Sequence, residues 1–177
     1  MKKIALTGGI GTGKTFISRQ FIASGIPVFY ADDEAKKLYE DADVLSEIRL
    51  AFGNEVFEGN VLDFKKLSAI VFNNELKKSE LEGIIHPKVM QKFDAWCNMQ
   101  GAETVMMESA IIFESHLERY FDQVIVVNAS EATRIRRISQ RNPELSENEI
   151  IARINSQMSQ ELKCSLADEV IEHDDDI

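Results

Sequence analysis

Five short apolar stretches interrupt a background of helical spacing, at residues 3–7, 26–30, 104–108, 123–127 and 169–172. Each is four or five residues long and is bounded by glycines, polar residues or a helical pattern, as buried strands are. Between the first two, Ile17 and Phe21 recur at helical spacing and Gly25 supplies a stop. Strand, glycine-rich loop, helix and strand thus follow one another within thirty residues, which is a βαβ signature.

The segment 33–100 has a different texture. Leu45, Ile48 and Phe52 predict a helix ending at Gly53, and Asp63 can cap a segment whose apolar face is Phe64, Leu67, Ile70 and Val71. His86-Pro87 is expected to open another helix, with proline in the favoured first position and Val89, Phe93 and Trp96 on one face. Farther on, Ala132, Ile135 and Ile138 mark one helix, and Ile150, Ile154 and Met158 mark the next. Ser146 and Glu149 form a capping box for the latter. The order predicts an α/β fold: a doubly wound parallel five-stranded sheet with a helical insertion after the second strand. The expected organisation is a single domain over 1–177, with a core at about 1–32, 101–130 and 165–177, an insert at about 33–100 and a lid at about 137–150.

Composition narrows the classes. With 44% hydrophobic and 28% charged residues, the 177-residue chain can bury one sizeable core. A net charge of −10 argues against a general nucleic-acid binder and leaves a small phosphorylated ligand open, because local cations can govern a pocket on an acidic protein. No apolar run approaches the roughly 20 residues of a membrane span, and Met1-Lys2-Lys3 leads into too short an apolar stretch for a secretory signal. Cys97 and Cys164 have neither metal-ligand nor redox spacing, which suits a reducing cytoplasm. A monomer is the default expectation.

The strongest chemical signal is Gly8-Gly9-Ile10-Gly11-Thr12-Gly13-Lys14-Thr15, which satisfies the pattern of glycine, four residues, then Gly-Lys-Ser/Thr between a strand and a helix. Glycines let consecutive N–H groups turn around a phosphate, and the helix that begins there adds its positive dipole end. Gly9 to Gly13 are therefore the expected nucleotide cradle, Lys14 the charge on the β- and γ-phosphates, and Thr15 a hydroxyl ligand for Mg²⁺. The chain lacks the guanine-reading Asn-Lys-x-Asp motif, so an ATP-dependent small-molecule kinase is favoured over a GTPase. At the end of the second strand, Asp32 is placed to orient or deprotonate an attacking hydroxyl; equally, Asp32 or Asp33 can cap a helix beginning near Glu34.

Over nearly its whole length the chain resembles the dephospho-CoA kinase family. The matching residues are Leu6 to Lys14, Ala31-Asp32, Phe52-Gly53, Leu62-Asp63, Val71-Phe72, Leu81-Glu82, His86-Pro87 and Ile111-Ile112-Phe113-Glu114. Arg137, Arg141, Arg153, Gln157, Lys163 and Ala167-Asp168 follow in the family's order and spacing. The resemblance implies transfer of the γ-phosphate of ATP, with Mg²⁺, to the ribose 3′-hydroxyl of dephospho-CoA. It makes Asp32 the general base, within a motif whose first acid is replaced by Tyr30. Phe64 stands in place of an arginine, Ala110 of a proline and His173 of an asparagine. Relatives usually continue past the position of Ile177 into a glycine turn and a final helix.

Arg137 and Arg141 are four residues apart and share a helix face, so with the resemblance they are expected to converge on the phosphates alongside Lys14 and Asp32. Arg134 and Arg136 are read as solvated surface. Glu108, ending the third strand, is a candidate second Mg²⁺ ligand, through water, with helix capping as the alternative. His86 and Phe113 are assigned to the acceptor pocket, while Phe93 and Trp96 are read as core. A nucleoside or nucleotide kinase, or an ATP-binding regulatory module, are the competing readings.

Overall fold

A strand paired on both sides and covered on both faces must be apolar where it is covered, and the central strands meet that demand at residues 4–6, 105–107 and 124–127. In the computed structural model, which describes residues 1–72 and 74–174, the elements run β1 (Lys2–Thr7), α1 (Lys14–Ala23) and β2 (Val28–Tyr30), then α2 (Ala31–Leu38) and α3 (Ala42–Phe52). There follow β3 (Phe57–Glu58), β4 (Val61–Leu62), α4 (Phe64–Phe72) and α5 (Glu75–Asn98). The chain continues through β5 (Thr104–Glu108), β6 (Gln123–Asn128), α6 (Glu131–Arg141), α7 (Glu147–Asn155), α8 (Gln160–Leu166) and β7 (Glu169–Glu172).

The five-stranded sheet has the order β2-β5-β1-β6-β7 and is parallel throughout. From β1 the chain moves toward one edge, through α1 to β2; from β6 it moves toward the other, through α6, α7 and α8 to β7. Right-handed crossovers in opposite directions place α1 on one face and α6–α8 on the opposite one. The switch of direction falls at β1, so the crevice for a ligand opens beyond its C-terminal end, where the glycine loop begins. Ile4, Leu6, Met106, Ile125 and Val127 form the core under α1, with Ile17 and Phe21 of that helix packed on them. A second cluster joins Ile138 of α6 to Ile150 and Ile154 of α7, with Ile10 of the glycine loop against it.

The described chain divides into two compact units, one made of residues 1–30 and the chain from 97 onward, the other of 31–96. In the second, Gly53 ends α3 and Asp63 caps α4 by accepting from the N–H groups of Lys65 and Lys66, as the sequence predicts. Pro87 does not open a helix. It lies inside α5, which starts at Glu75, and the residue one turn earlier, whose carbonyl its ring meets, is Gly83. Helix-forming residues from Glu75 to Glu82 carry the helix through the proline. The hairpin of β3 and β4 is too short to leave a periodic signal.

Two boundaries in the other unit also differ from expectation. Helix α7 ends at Asn155, so Met158 lies beyond it, and a separate helix, α8, begins after the N-cap Ser159. The capping box of Ser146 and Glu149 is present. Strand β2 is the short edge strand because Pro27, which has no N–H, precedes it; its carbonyl still accepts from Met106.

Candidate active site

Gly13 holds φ +93° at the N-cap of α1, and a Cβ there would collide with the ring of His173; Gly11 holds φ +85°, and a Cβ there would meet the Arg134 carbonyl oxygen at 2.8 Å. Only glycine satisfies both the backbone twist and the close approach. Lys14 lies across the arch, its ammonium 2.9 Å from the Gly8 carbonyl and 3.4 Å from that of Gly9. The Thr12 hydroxyl closes the turn by donating to Gly9 at 3.0 Å.

Side chains from α6 to α8 hold the loop from outside. Gln160 accepts from the N–H of Gly9 at 2.9 Å and donates to Val127 at 2.9 Å, while Gln157 accepts from Ile10 at 2.8 Å. Arg134 Nε donates to the Ile10 carbonyl at 2.9 Å, and Arg137 Nη1 donates to those of Thr12 at 3.1 Å and Gly11 at 3.4 Å. None of these bonds uses the N–H groups of Gly11, Gly13 or Thr15, the donors a phosphate needs. Arg134 is therefore not solvated surface: only 6% of it is exposed. Its helix face turns inward because the loop wraps the start of α6, a tertiary contact with no periodic signature. Arg136 is exposed, as expected. Arg141 sits at the exposed end of α6, bonded to its neighbour Asn142 at 3.3 Å, so of the two expected arginines the fold brings only Arg137 to the loop.

At the end of β5, Glu108 Oε1 lies 3.5 Å from the Thr15 hydroxyl, and the residue is 8% exposed. No helix follows β5 for Glu108 to cap: residues 110–116 form a turn, and Ser109 Oγ braces it by accepting from the N–H of Ile111. A hydroxyl and a carboxylate side by side are hard oxygen donors that fit Mg²⁺. Among the described residues no three His, Cys, Asp or Glu side chains cluster as metal ligands. Two donors suffice for an ion that keeps waters and phosphate oxygens as its other ligands. Tyr30, at the position of the family's first acid, bonds through its hydroxyl to Ser18 of α1 at 3.2 Å. It is an anchor between β2 and α1 rather than a neutral copy of an acid.

The turn after β5 is pinned from below by a wholly buried lysine. Lys163 Nζ donates to the Ala110 carbonyl at 2.6 Å and pairs with Glu114 at 2.7 Å, and the same carboxylate oxygen accepts from the N–H of Met158 at 3.2 Å. Removing one partner leaves the other charge without compensation in a poorly hydrated place. Lys163→Met is expected to lower the free energy of unfolding by about 3 kcal/mol, and adding Glu114→Gln to recover much of it. Denaturant midpoints of the single and double variants check this; additive losses would contradict it.

Phe113 lies in this turn and is buried. In the other unit, Asp32 and Asp33 stand in the first turn of α2, two and three residues past β2. That helix begins at Ala31 rather than near Glu34, so neither acid is its N-cap. Asp33 pairs with Lys36 at 2.8 Å. His86 is half-buried on α5, and burial pushes its pKa below the ordinary imidazole value, against an opposing pull from Glu82. His173, missed as a site residue, stacks on Phe16 with ring centroids 5.0 Å apart and borders Gly13. Its backbone N–H donates to the Asn128 carbonyl, and the Asp174 carboxylate accepts from the N–H of Ser130, fastening the strand end beside the loop. The chain end at Ile177 lies outside the described residues.

The family model for CoaE, dephospho-CoA kinase, matches residues 2–177. The chain belongs to the dephospho-CoA kinase family. A dephospho-CoA kinase of Bacillus cereus is 40% identical over 176 residues, covering 97% of this chain and 88% of the relative. A crystal structure from Thermus thermophilus superposes with a TM-score of 0.87 at 29% identity, covering 98% of this chain and 89% of that one. The dephospho-CoA kinase of Campylobacter jejuni superposes at 0.66 with 30% identity, covering 99% and 90%. Gln157 and Lys163 were among the residues carrying the family likeness, but only the fold shows what they do.

Proposed function

We propose that this chain transfers the γ-phosphate of ATP to the ribose 3′-hydroxyl of dephospho-CoA, releasing CoA and ADP. The observation that carries this reading is the match to the dephospho-CoA kinase family over residues 2–177. The glycine loop, built to present backbone donors, supplies the chemistry the reaction needs.

Phosphoryl transfer has a loose transition state, so the protein's work is positioning and charge neutralisation. The amides of Gly11, Gly13 and Thr15 and the Lys14 ammonium hold the phosphates, and Arg137 adds charge from α6. Thr15 and Glu108 are the oxygen donors for Mg²⁺, which when bound neutralises charge on the β- and γ-phosphates. Asp32, just past the C-terminal end of β2, orients the acceptor hydroxyl and takes its proton. Arg141 joins from the lid at 137–150 when it closes, and the segment 33–100, with His86, together with Phe113, receives the acceptor. The working form is a monomer in a reducing cytoplasm, which suits Cys97 and Cys164, both thiols outside any disulfide.

The test is ADP release measured across acceptors, with the product of dephospho-CoA identified as CoA. Dephospho-CoA is expected to be the preferred acceptor by a wide margin in kcat/KM. Faster turnover of a nucleoside or nucleotide would replace this acceptor, and ATP binding with no turnover of any acceptor would make the chain a regulatory module.

A further inference from the structure

The mechanism above leaves out the most deeply buried cation at the loop. Arg134 is enclosed by the glycine loop: its backbone carbonyl faces Gly11, its guanidinium lies against Gly9, and its Nε donates to Ile10. Among the described residues it has no carboxylate at ion-pair distance; Glu131 and Glu161 act on it only at longer range. Burial pushes its pKa below the ordinary guanidinium value, with those two acids opposing, yet an arginine stays charged. A fixed positive charge held without a close counter-charge is unfavourable in the free protein and is relieved when an anion arrives nearby.

We propose that Arg134 is a built-in counter-charge for the nucleotide's phosphates, acting through the loop backbone from outside the arch. The inference rests on the ATP reading above. Arg134 need not touch the ligand. Its field adds to that of the loop amides and Lys14 in a site where screening by salt is weak, so its effect grows with the charge of the ligand. That makes it a positioning residue with an electrostatic signature. A packing residue would affect all nucleotides alike.

The measurement is the affinity of the full chain for ATP, ADP and AMP by titration calorimetry, in the parent, Arg134→Gln and Arg134→Lys. Glutamine keeps a donor for Ile10 and removes the charge; lysine keeps the charge. Arg134→Gln is expected to reduce the ratio of ATP to AMP affinity roughly tenfold, with ADP intermediate, and Arg134→Lys to hold the ratio within about threefold of the parent. Because the ratio is taken on the same sample, partial unfolding of a variant does not erase it. Equal losses for all three nucleotides, an unchanged ratio, or a lysine variant that behaves like glutamine would overturn the inference. A parent protein that binds none of the three would instead remove the ATP reading beneath it.

Discussion

Lys14→Ala is expected to cut phosphoryl transfer by at least ~10²–10³-fold while the protein stays folded. The lysine donates to the loop carbonyls of Gly8 at 2.9 Å and Gly9 at 3.4 Å. That places the ammonium over the arch of amides, where it would meet a bound phosphate. Alanine is a good residue for the first turn of α1, and the core under that helix rests on Ile17 and Phe21, not on position 14. Thermal unfolding should therefore move little. Single-turnover rates at saturating ATP and acceptor, compared with the parent, decide the matter. Transfer that persists in the folded variant would mean that the loop binds something other than the reacting phosphates.

For Asp32→Asn the expected loss in transfer is roughly 10²–10⁴-fold, with ATP affinity preserved because the loop, Thr15 and Glu108 are untouched. Asp33→Asn is expected to do far less. Asp33 is already engaged with Lys36 at 2.8 Å on an exposed helix face, an arrangement that contributes little beyond the helix itself. Both acids lie in the first turn of α2, where a negative charge favours the helix dipole, so the two variants lose the same modest helix stability and differ only in chemistry. Rates and ATP affinities for both separate the cases. Equal, minor losses would leave dipole stabilisation as the account of both acids. A small loss at Asp32 alone would make it a hydrogen-bonding anchor, since a loose transition state needs little early proton removal.

What the sequence determined by itself was whatever depends on neighbours along the chain. The strands at 104–108 and 169–172 fall where the apolar runs placed them, and the turn chemistry of Gly53, Asp63 and Ser146-Glu149 acts at the predicted ends. The glycine loop was legible for the same reason: its strand, its helix and its spacing are contiguous. Pro87 misled because a local rule for proline met a longer run of helix-forming residues with Gly83 at the point of contact. Only the tertiary structure decided the surroundings of the loop. Arg134 looked like one more cation on a charged helix, Gln157 figured only in the family resemblance, and nothing in the pattern singled out Gln160. The fold lays α6 and the α7–α8 turn against Gly9, Ile10 and Gly11, turning those residues into partners of the loop's outward backbone groups. Buried backbone N–H and C=O groups must find partners somewhere, and residues some 120 to 150 positions away supply them. A contact of that separation leaves no period in a sequence, because its physical cause is the packing of two elements and not the pattern of either one.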